Sequence, residues 1–259
     1  CKTQLLLRVW THGAMHSVPR SRMNQAMTKP LPVGATIGIL GGGQLGRMLS
    51  VAAARLGLKT HIFEPGVNAP AGDVAHQVTT ASYEDAAALT AFGKSVDVIT
   101  YEFENIPTSA LDLLETLAPI HPGRQALATS QDRLTEKAFL QELGLQTAPF
   151  ANIENAADLE AALATIGTPS ILKTRRFGYD GKGQARIMSP ADADQALADM
   201  AGAPAVLEGF IDFSCEISVI AARSPSGEVA CFDPGENVHE GGILRKTTVP
   251  ANVKSSLRM

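Results

Sequence analysis

Residues 36–46 read TIGILGGGQLG, an apolar run that leads directly into a glycine-rich loop. The run Thr36–Leu40 has the length and apolar content of a buried strand, and Gln44–Leu56 has the apolar spacing of a helix. A second strand is expected at Thr60–Phe63. Because strands that alternate with helices are typical of βαβ units, the sequence predicts an α/β fold that begins with a parallel sheet.

The same alternation continues through the next part of the chain. We expect helices at Glu84–Phe92 and Ser109–Leu117 and a strand at Val96–Thr100. These elements would form a Rossmann-like N-terminal domain over residues 35–122. Residues 1–34 lack a stable periodicity and are expected to be an extension outside the fold, with a basic, acid-poor transit peptide as the alternative.

Strict alternation is lost in the second part of the chain. Helices are expected at Asp132–Leu143, Asn155–Ile166 and Ser189–Met200. The strands expected in this part are Ser170–Lys173, Ala205–Glu208, Cys215–Ala222 and Val229–Phe232. Because this mixture is typical of an α+β layer, we expect a second domain of that class over residues 123–259.

The composition limits the possible classes of function. The chain has 259 residues, 45% hydrophobic and 19% charged, which suits one large or two smaller domains and excludes a disordered chain. No charge-free apolar run approaches the ~18 residues that a membrane span needs. The net charge is −4, and −9 without the first thirty residues, so we expect no nucleic-acid binding. Three cysteines without a C-x-x-C pair favour a reducing compartment, and we expect a cytoplasmic protein.

The first glycine-rich loop fits a dinucleotide-binding pattern. Gly41, Gly43 and Gly46 match G-x-G-x-x-G, and such a turn presents amides and a helix N-terminus that favour an anion. Glu64 ends the next strand, where an NAD-binding fold keeps the acid that binds ribose. This stretch alone supports an NAD-binding oxidoreductase. The alternative is that the glycines only permit close packing of helix and sheet.

Two acids follow the strand expected at Val96–Thr100. Glu102 and Glu104 would lie at the carboxyl end of that strand, where ligands bind in open α/β sheets. We therefore expect both to face the same crevice as the glycine loop, where carboxylates suit hydroxyl or amine groups of a ligand. The alternative is that they complement the dipole of the following helix.

A second glycine-rich segment, Lys173–Gln184, holds three glycines and four cations, which are Lys173, Arg175, Arg176 and Lys182. A basic, glycine-rich loop supplies what phosphoryl transfer needs, namely donors that close over a triphosphate, neutralise it and exclude water. The segment is not a Walker A sequence, because no G-K-[ST] follows. The alternative is a solvated basic turn.

Three features downstream complete a candidate nucleotide site. Ala205–Ile211 is an apolar strand that runs into a linker and can present backbone groups to an adenine edge. Glu216 is suited to accept ribose hydroxyls, with a cross-strand partner for a surface base as the alternative. His239 lies in a polar stretch flanked by glycines, which predicts a loop and marks it as the candidate functional histidine. No two histidines have metal-ligand spacing, so we expect no zinc site.

Six segments occur in a set order along the chain. They are GGGQLGRM (41–48), YEFEN (101–105), DRLTEK (132–137), GYDGKGQ (178–184), EGFI (208–211) and NVHEGGILR (237–245). Together they resemble the 5-(carboxyamino)imidazole ribonucleotide synthases, a family of ATP-grasp ligases in purine biosynthesis. The resemblance covers about residues 35–250. It implies a pre-ATP-grasp domain followed by an ATP-grasp domain that is incomplete at its C-terminus.

The resemblance also implies a reaction and its ligands. ATP would phosphorylate bicarbonate to carboxyphosphate, which carboxylates the amino group of 5-aminoimidazole ribonucleotide, and the enzyme would be a homodimer. The positions similar to ATP contacts are Arg133, Lys173, Gly178, Tyr179, Asp180, Gly181, Lys182, Gly183, Gln184, Glu208, Gly209, Phe210, Ile211, Glu216 and His239. The positions similar to contacts with the aminoimidazole ribonucleotide are Gln44, Leu45, Glu102, Tyr179, Asp180 and Lys182.

Within this set, the residues expected to serve catalysis are Lys173, Asp180 and Lys182. The first glycine loop would cradle the phosphate of the ribonucleotide, and the second would close over ATP. The other interpretations are a different ATP-grasp ligase, such as a formate-using transformylase or a biotin carboxylase, and a non-catalytic nucleotide-binding fragment.

The family also binds Mg²⁺, through two carboxylate-bearing segments, the second of which resembles Asn-Glu-x-x-Pro-Arg. This sequence contains neither segment, so we expect the metal ligands to lie beyond Met259 and no metal to be held by the chain itself. Since Mg²⁺ neutralises and orients the transferring phosphoryl group, we expect the chain alone not to turn over.

Overall fold

The computed structural model describes residues 30–178, 182–241 and 243–253. The chain divides into two compact units, Pro30–Thr135 and, among the described residues, the part from Glu136 onward. Most of the extension expected at residues 1–34 lies outside the described residues.

A parallel sheet organises the first unit. Its strands are β1 (Thr36–Leu40), β2 (Lys59–Phe63), β3 (Gln77–Thr79) and β4 (Val98–Tyr101). Its helices are α1 (Gln44–Arg55), α2 (Ala86–Lys94), α3 (Thr108–Leu114) and α4 (Arg124–Ser130), with a 3-10 turn at Pro70–Asp73. The order is β3-β2-β1-β4 and every neighbouring pair is parallel, which confirms the predicted α/β class. Leu40 lies opposite Tyr101, so the carboxyl ends of β1 and β4 are adjacent.

The apolar core of the first unit explains where that unit ends. Phe63, Phe92 and Ile99 lie at its centre, and Leu127 of α4 packs into the same cluster. Periodicity does not reveal α4, because Leu127 is its one large apolar residue. The units therefore divide after Thr135, whereas the sequence predicts the end of the first domain at residue 122.

The second unit is built on antiparallel strands. Its helices are α5 (Arg133–Glu142), which crosses the division, α6 (Ala156–Ile166) and α7 (Ala193–Asp199), the last preceded by a 3-10 turn at Pro190–Asp192. Four strands, β5 (Phe150–Ile153), β6 (Ser170–Thr174), β7 (Gln184–Ile187) and β8 (Ala205–Gly209), form a sheet in the order β5-β8-β6-β7. Leu159 of α6 packs with Leu172 and Leu207 of the sheet. This arrangement agrees with the expected α+β class.

The remaining strands form two smaller sheets. They are β9 (Glu216–Ser218), β10 (Ala221–Arg223), β11 (Val229–Cys231), β12 (Gly235–Glu240) and β13 (Ile243–Thr248). β10 and β11 form a hairpin, and β13-β12-β9 is an antiparallel sheet.

Two predictions for this region are wrong. The single strand expected at Cys215–Ala222 is two strands, β9 and β10, which pair in different sheets. His239, expected in a loop, lies on β12, because backbone pairing with β13 extends a polar sequence that has no apolar alternation.

Candidate functional site

The first glycine loop lies between β1 and α1, at the carboxyl end of the sheet. Gly41 has φ +100°, a backbone conformation that favours glycine, and a Cβ atom there would lie 2.5 Å from Cγ of Glu102. A Cβ atom on Gly43 would lie 2.8 Å from Oε1 of Glu102. Glycine is therefore needed at both positions because the Glu102 side chain approaches the loop so closely.

The carboxylate of Glu102 caps the N-terminus of α1. The amide of Gly43 donates to its Oε1 atom at 2.5 Å, and the amide of Gly46 donates to its Oε2 atom at 2.6 Å. A carboxylate at a helix N-terminus satisfies unpaired amides and lies at the positive end of the helix dipole. Glu102 rather than Glu104 makes these hydrogen bonds, so the side chain occupies the place where such a loop binds an external anion.

Glu64 binds the same loop from its other side. The amide of Gly42 donates to its Oε2 atom at 2.8 Å, and the amide of Gly66 donates to its Oε1 atom at 2.8 Å. Consequently Glu64 is engaged with backbone, whereas an NAD-binding fold would direct this acid at ribose. A pyrophosphate or a monophosphate on the loop would meet two carboxylates, which disfavours both the dinucleotide interpretation and the expected phosphate cradle.

An open cavity of about 320 Å³ adjoins this arrangement. It is lined by Gly42, Gly43, Glu64, Gly66, Val67, Asn68, Ala69, Pro70, Glu102 and Phe103. Gln44 and Leu45 lie exposed in the first turn of α1. The first unit thus offers a cavity whose polar wall consists of two carboxylates, Asn68 and backbone, which suits hydroxyl or amine groups better than an anion.

The second unit contains a buried cluster of two lysines and one carboxylate. Nζ of Lys173, on β6, lies 2.8 Å from Oε2 of Glu208 on the neighbouring strand β8. Nζ of Lys137, on α5, lies 3.3 Å from Oε1 of the same carboxylate. The three residues are 8%, 4% and 4% exposed for Lys173, Lys137 and Glu208. Lys173 and Glu208 meet because Ile171 is the register partner of Glu208, which makes Lys173 a diagonal neighbour on the same face.

Charge and burial compete in this cluster. Burial of Glu208 acts to raise its pKa, but the two ammonium groups outweigh it, so the pKa is held below its usual value and the carboxylate is ionised. The pKa of Lys137 is lowered, first by burial and further by the charge of Lys173, while Glu208 opposes the shift. With both lysines protonated, the three side chains carry a net charge of +1, which favours the approach of an anion.

Glu216 and His239 are brought together as a cross-strand pair. Nδ1 of His239 lies 3.3 Å from Oε1 of Glu216, and Nδ2 of Asn237 donates to the same oxygen at 3.5 Å. Asn237 on β12 is the register partner of Glu216 on β9. The geometry is compatible with both predictions for Glu216, the ribose acceptor and the cross-strand partner.

The second glycine-rich loop is partly described. Tyr179 and Asp180, predicted to contact both ATP and the ribonucleotide, and Gly181, predicted to contact ATP, lie outside the described residues. Gly183 has φ +67° and its carbonyl accepts from the amide of Thr174 at 2.8 Å, which ties the loop to the end of β6. Lys182 is exposed.

Other predicted nucleotide contacts lie at the ends of elements. Arg133 is the first residue of α5 and is half-buried, and Gln184 begins β7. The amides of Gly209 and Phe210 donate to the carbonyls of Pro149 and Pro169, so these two donors are engaged with the protein. Gly178 and Ile211 lie outside the strands. Sequence reasoning missed Lys137, which belongs to the buried cluster with Lys173 and Glu208. Its position three residues after Leu134, on the same helix face, is the signal that was available.

The described residues contain neither a cluster that could hold a metal ion nor a helix that could span a membrane. Across residues 30–178, 182–241 and 243–253, no three His, Cys, Asp or Glu side chains cluster in a way that could hold a metal ion. None of the helices in the described part of the chain is long and apolar enough to cross a membrane.

Comparison with known proteins gives two family matches. The family described as ribonucleotide synthetase preATP-grasp domain matches residues 34–131, and the ATP-grasp domain family matches residues 138–259. These matches confirm the predicted order of the two domain types.

Several similar proteins are named N5-carboxyaminoimidazole ribonucleotide synthase or synthetase. The chain is 52% identical over 233 residues to the N5-carboxyaminoimidazole ribonucleotide synthase of Brucella melitensis, which covers 89% of the chain and 64% of that protein. It matches the ADP complex of the Staphylococcus aureus N5-carboxyaminoimidazole synthetase with TM-score 0.85 and 39% identity, over 92% of this chain and 63% of that one. It also matches the Aspergillus clavatus N5-carboxyaminoimidazole synthase in complex with ADP and 5-aminoimidazole ribonucleotide, with TM-score 0.79 and 29% identity, over 87% of this chain and 60% of that one. The chain thus spans somewhat less than two thirds of each relative.

Proposed function

Because the chain belongs to the family of N5-carboxyaminoimidazole ribonucleotide synthases, we propose that it carries the nucleotide site and part of the ribonucleotide site of an ATP-dependent carboxylation. In the proposed reaction, bicarbonate attacks the γ-phosphorus of ATP and releases ADP. The amino nitrogen of 5-aminoimidazole ribonucleotide then attacks the carbonyl carbon of carboxyphosphate and displaces phosphate. The products are ADP, phosphate and the carboxyamino ribonucleotide.

The nucleotide site is assigned to the second unit. The observation that carries this proposal is the buried cluster of Lys137, Lys173 and Glu208, whose net positive charge lies where β6 leads into the basic glycine loop. Lys173 would bind a phosphate oxygen, and Lys182 would approach from the loop. Glu216, held by His239, would accept the ribose hydroxyls. The EGFI segment, which begins with Glu208 near the end of β8, would line the adenine.

Binding of the ribose hydroxyls and the amino group of 5-aminoimidazole ribonucleotide is assigned to the cavity of the first unit. Glu102 is fixed there by two amides, so its remaining lone pairs are pre-oriented to accept from hydroxyl or amine groups. Gln44 and Leu45 would contact the same ligand from the first turn of α1. The ribonucleotide contacts expected at Tyr179, Asp180 and Lys182 stay predictions.

Several parts of the proposal concern the complete enzyme. The described residues do not fit Mg²⁺, because no carboxylate cluster suits it, so we assign no step of the reaction to a metal held by this chain. A requirement for Mg²⁺, a homodimer and a cytoplasmic location remain predictions for the complete enzyme.

Nucleotide binding provides the direct test. We expect isothermal titration of the chain to detect ADP and to detect no NADH, and Lys173→Met to weaken ADP binding by roughly tenfold or more. Lys94→Met, an exposed change near the end of α2 in the other unit, is the matched control and should bind ADP like the unmodified chain. Tight NADH binding without ADP binding would overturn the proposal in favour of an oxidoreductase.

A further inference from the structure

Lys137 is not one of the positions that the family resemblance assigns to a ligand, yet it is 4% exposed and its ammonium group faces Glu208. Its Nζ atom also lies 5.6 Å from the centre of the Phe150 ring. The carboxylate and the aromatic face fix the ammonium group inside the unit. Since so little of the side chain is exposed, Lys137 is poorly placed to contact a nucleotide itself.

The cluster holds two lysines beside a single carboxylate. One ammonium group suffices to neutralise Glu208, and burying a second one carries a desolvation cost that a neutral pair avoids. Each carboxylate oxygen has its own lysine, Oε1 with Lys137 and Oε2 with Lys173. The second cation is therefore surplus as long as Glu208 is the anion to be paired. It is no longer surplus when a phosphate enters.

The two lysines differ in what they can reach. Lys173 lies on β6, one residue before the strand ends and the basic glycine loop begins. Lys137 projects from the middle of α5, where the helix backbone and the ring of Phe150 hold it. Only the former is next to the segment proposed to close over a triphosphate.

We propose that Lys137 is a positioning residue that remains on Glu208 as its counter-ion while the ammonium group of Lys173 moves to a nucleotide phosphate. This inference rests on the proposed function of the second unit as a nucleotide site. Without Lys137, transfer of Lys173 to a phosphate would leave Glu208 as a buried, unpaired carboxylate, which is strongly unfavourable. No covalent bond or proton changes hands in this exchange of ion partners.

The test compares ADP binding by the unmodified chain with that of Lys137→Met, Lys137→Arg and the control Lys94→Met. We expect Lys137→Met to raise the dissociation constant for ADP roughly tenfold or more. In that variant, Glu208 is left without an ion partner when Lys173 moves to the phosphate. Lys137→Arg keeps the positive charge and should remain within about threefold of the unmodified chain. Thermal unfolding of each variant without ADP establishes that the folded protein is being titrated.

A second background separates positioning from packing. In Glu208→Gln there is no carboxylate to leave unpaired, so adding Lys137→Met should change the ADP dissociation constant by less than about twofold. The double variant also buries no unpaired carboxylate, so it decides the matter if Lys137→Met alone does not fold. A further tenfold loss in the Glu208→Gln background would contradict the exchange of partners.

The remaining outcomes are distinct. A folded Lys137→Met chain that binds ADP as the unmodified chain does would overturn this inference and leave the proposed nucleotide site intact. A folded unmodified chain that does not bind ADP would overturn the proposed nucleotide site and this inference together.

Discussion

The carboxylate of Glu102 accepts a hydrogen bond from the amide of Gly43 at 2.5 Å, so a side chain from the end of β4 caps the helix that follows β1. The same carboxylate accepts from the amide of Gly46, in the first turn of α1. A loop whose sequence indicates a phosphate site therefore has an internal anion in that place. This relationship changes which ligands the first unit can bind, and it makes the glycines of the loop sensitive to substitution.

Gly41→Ala is expected to destabilise the first unit by about 1–3 kcal/mol. The new Cβ atom would meet Cγ of Glu102 at 2.5 Å, and the residue would keep a φ of +100° that alanine rarely adopts. The free energy of unfolding can be measured by hydrogen exchange of the amides of β1 and β4. Gly123→Ala is the matched control, because a Cβ atom there meets no atom within 4 Å. Equal stability of the two variants would contradict the close approach of Glu102 to the loop.

Glu102→Gln tests what the capped loop can bind. The amide keeps the shape but has one oxygen for two donors, so we expect the first unit to lose about 1–2 kcal/mol of stability by hydrogen exchange. NADH should remain undetected in a titration of this variant, because Glu64 still occupies the amide of Gly42. The matched control is Glu104→Gln, on the same loop, since Glu104 does not make these two hydrogen bonds. If removal of the Glu102 charge gave NADH binding, the loop would be a dinucleotide site blocked by one side chain.

The stability contributed by Lys137 should depend on pH in a defined direction. Its pKa is lowered in the folded chain, mainly by burial, so between that pKa and the unfolded value of about 10.4 the unfolded chain binds more protons. The free energy of unfolding must therefore rise with pH across this window. We expect urea unfolding to show this rise in the unmodified chain and to show less of it in Lys137→Met. A difference between the two proteins that does not change with pH would contradict the burial of a charged Lys137.

Local apolar patterns in the sequence predict several strands and helices of the fold. The strand at Thr36–Leu40 is observed with the predicted ends, and the helix predicted at Gln44–Leu56 is observed as Gln44–Arg55. β12 could not be predicted in this way, because most of its side chains are polar and every residue of its partner β13 is exposed. Its stability comes from backbone pairing, which leaves no trace in the hydrophobic pattern.

The sequence predicts ligand contacts residue by residue but does not predict which of these side chains pair with each other. Lys173 and Glu208 were each assigned to a ligand, yet the structure pairs them with each other across 35 positions of sequence. That contact depends on the register of β6 against β8, which periodicity does not determine. Lys137 was missed for a related reason, because a lysine on a helix is usually exposed and its burial depends on an acceptor supplied by a distant strand.

The pair of Glu216 and His239 leads to a prediction about ribose. If Glu216 accepts the ribose hydroxyls, the chain should bind ADP about three- to tenfold more tightly than 2′-deoxy-ADP, since one hydrogen bond to a charged acceptor is lost. Glu216→Gln should bind both nucleotides with nearly equal affinity. Glu228→Gln, an exposed change beside the β10–β11 hairpin, is the matched control and should keep the preference.

The same comparison distinguishes the two roles left open for Glu216. As a mere cross-strand partner of Asn237 and His239, it would contribute to the stability of the β13-β12-β9 sheet and not to the choice of nucleotide. In that case Glu216→Gln would lower the unfolding temperature and leave the ratio of the two affinities unchanged. His239→Gln adds a further test, because an amide nitrogen can still donate to Glu216. A preserved preference for ADP in His239→Gln would show that a positive charge at residue 239 is not required.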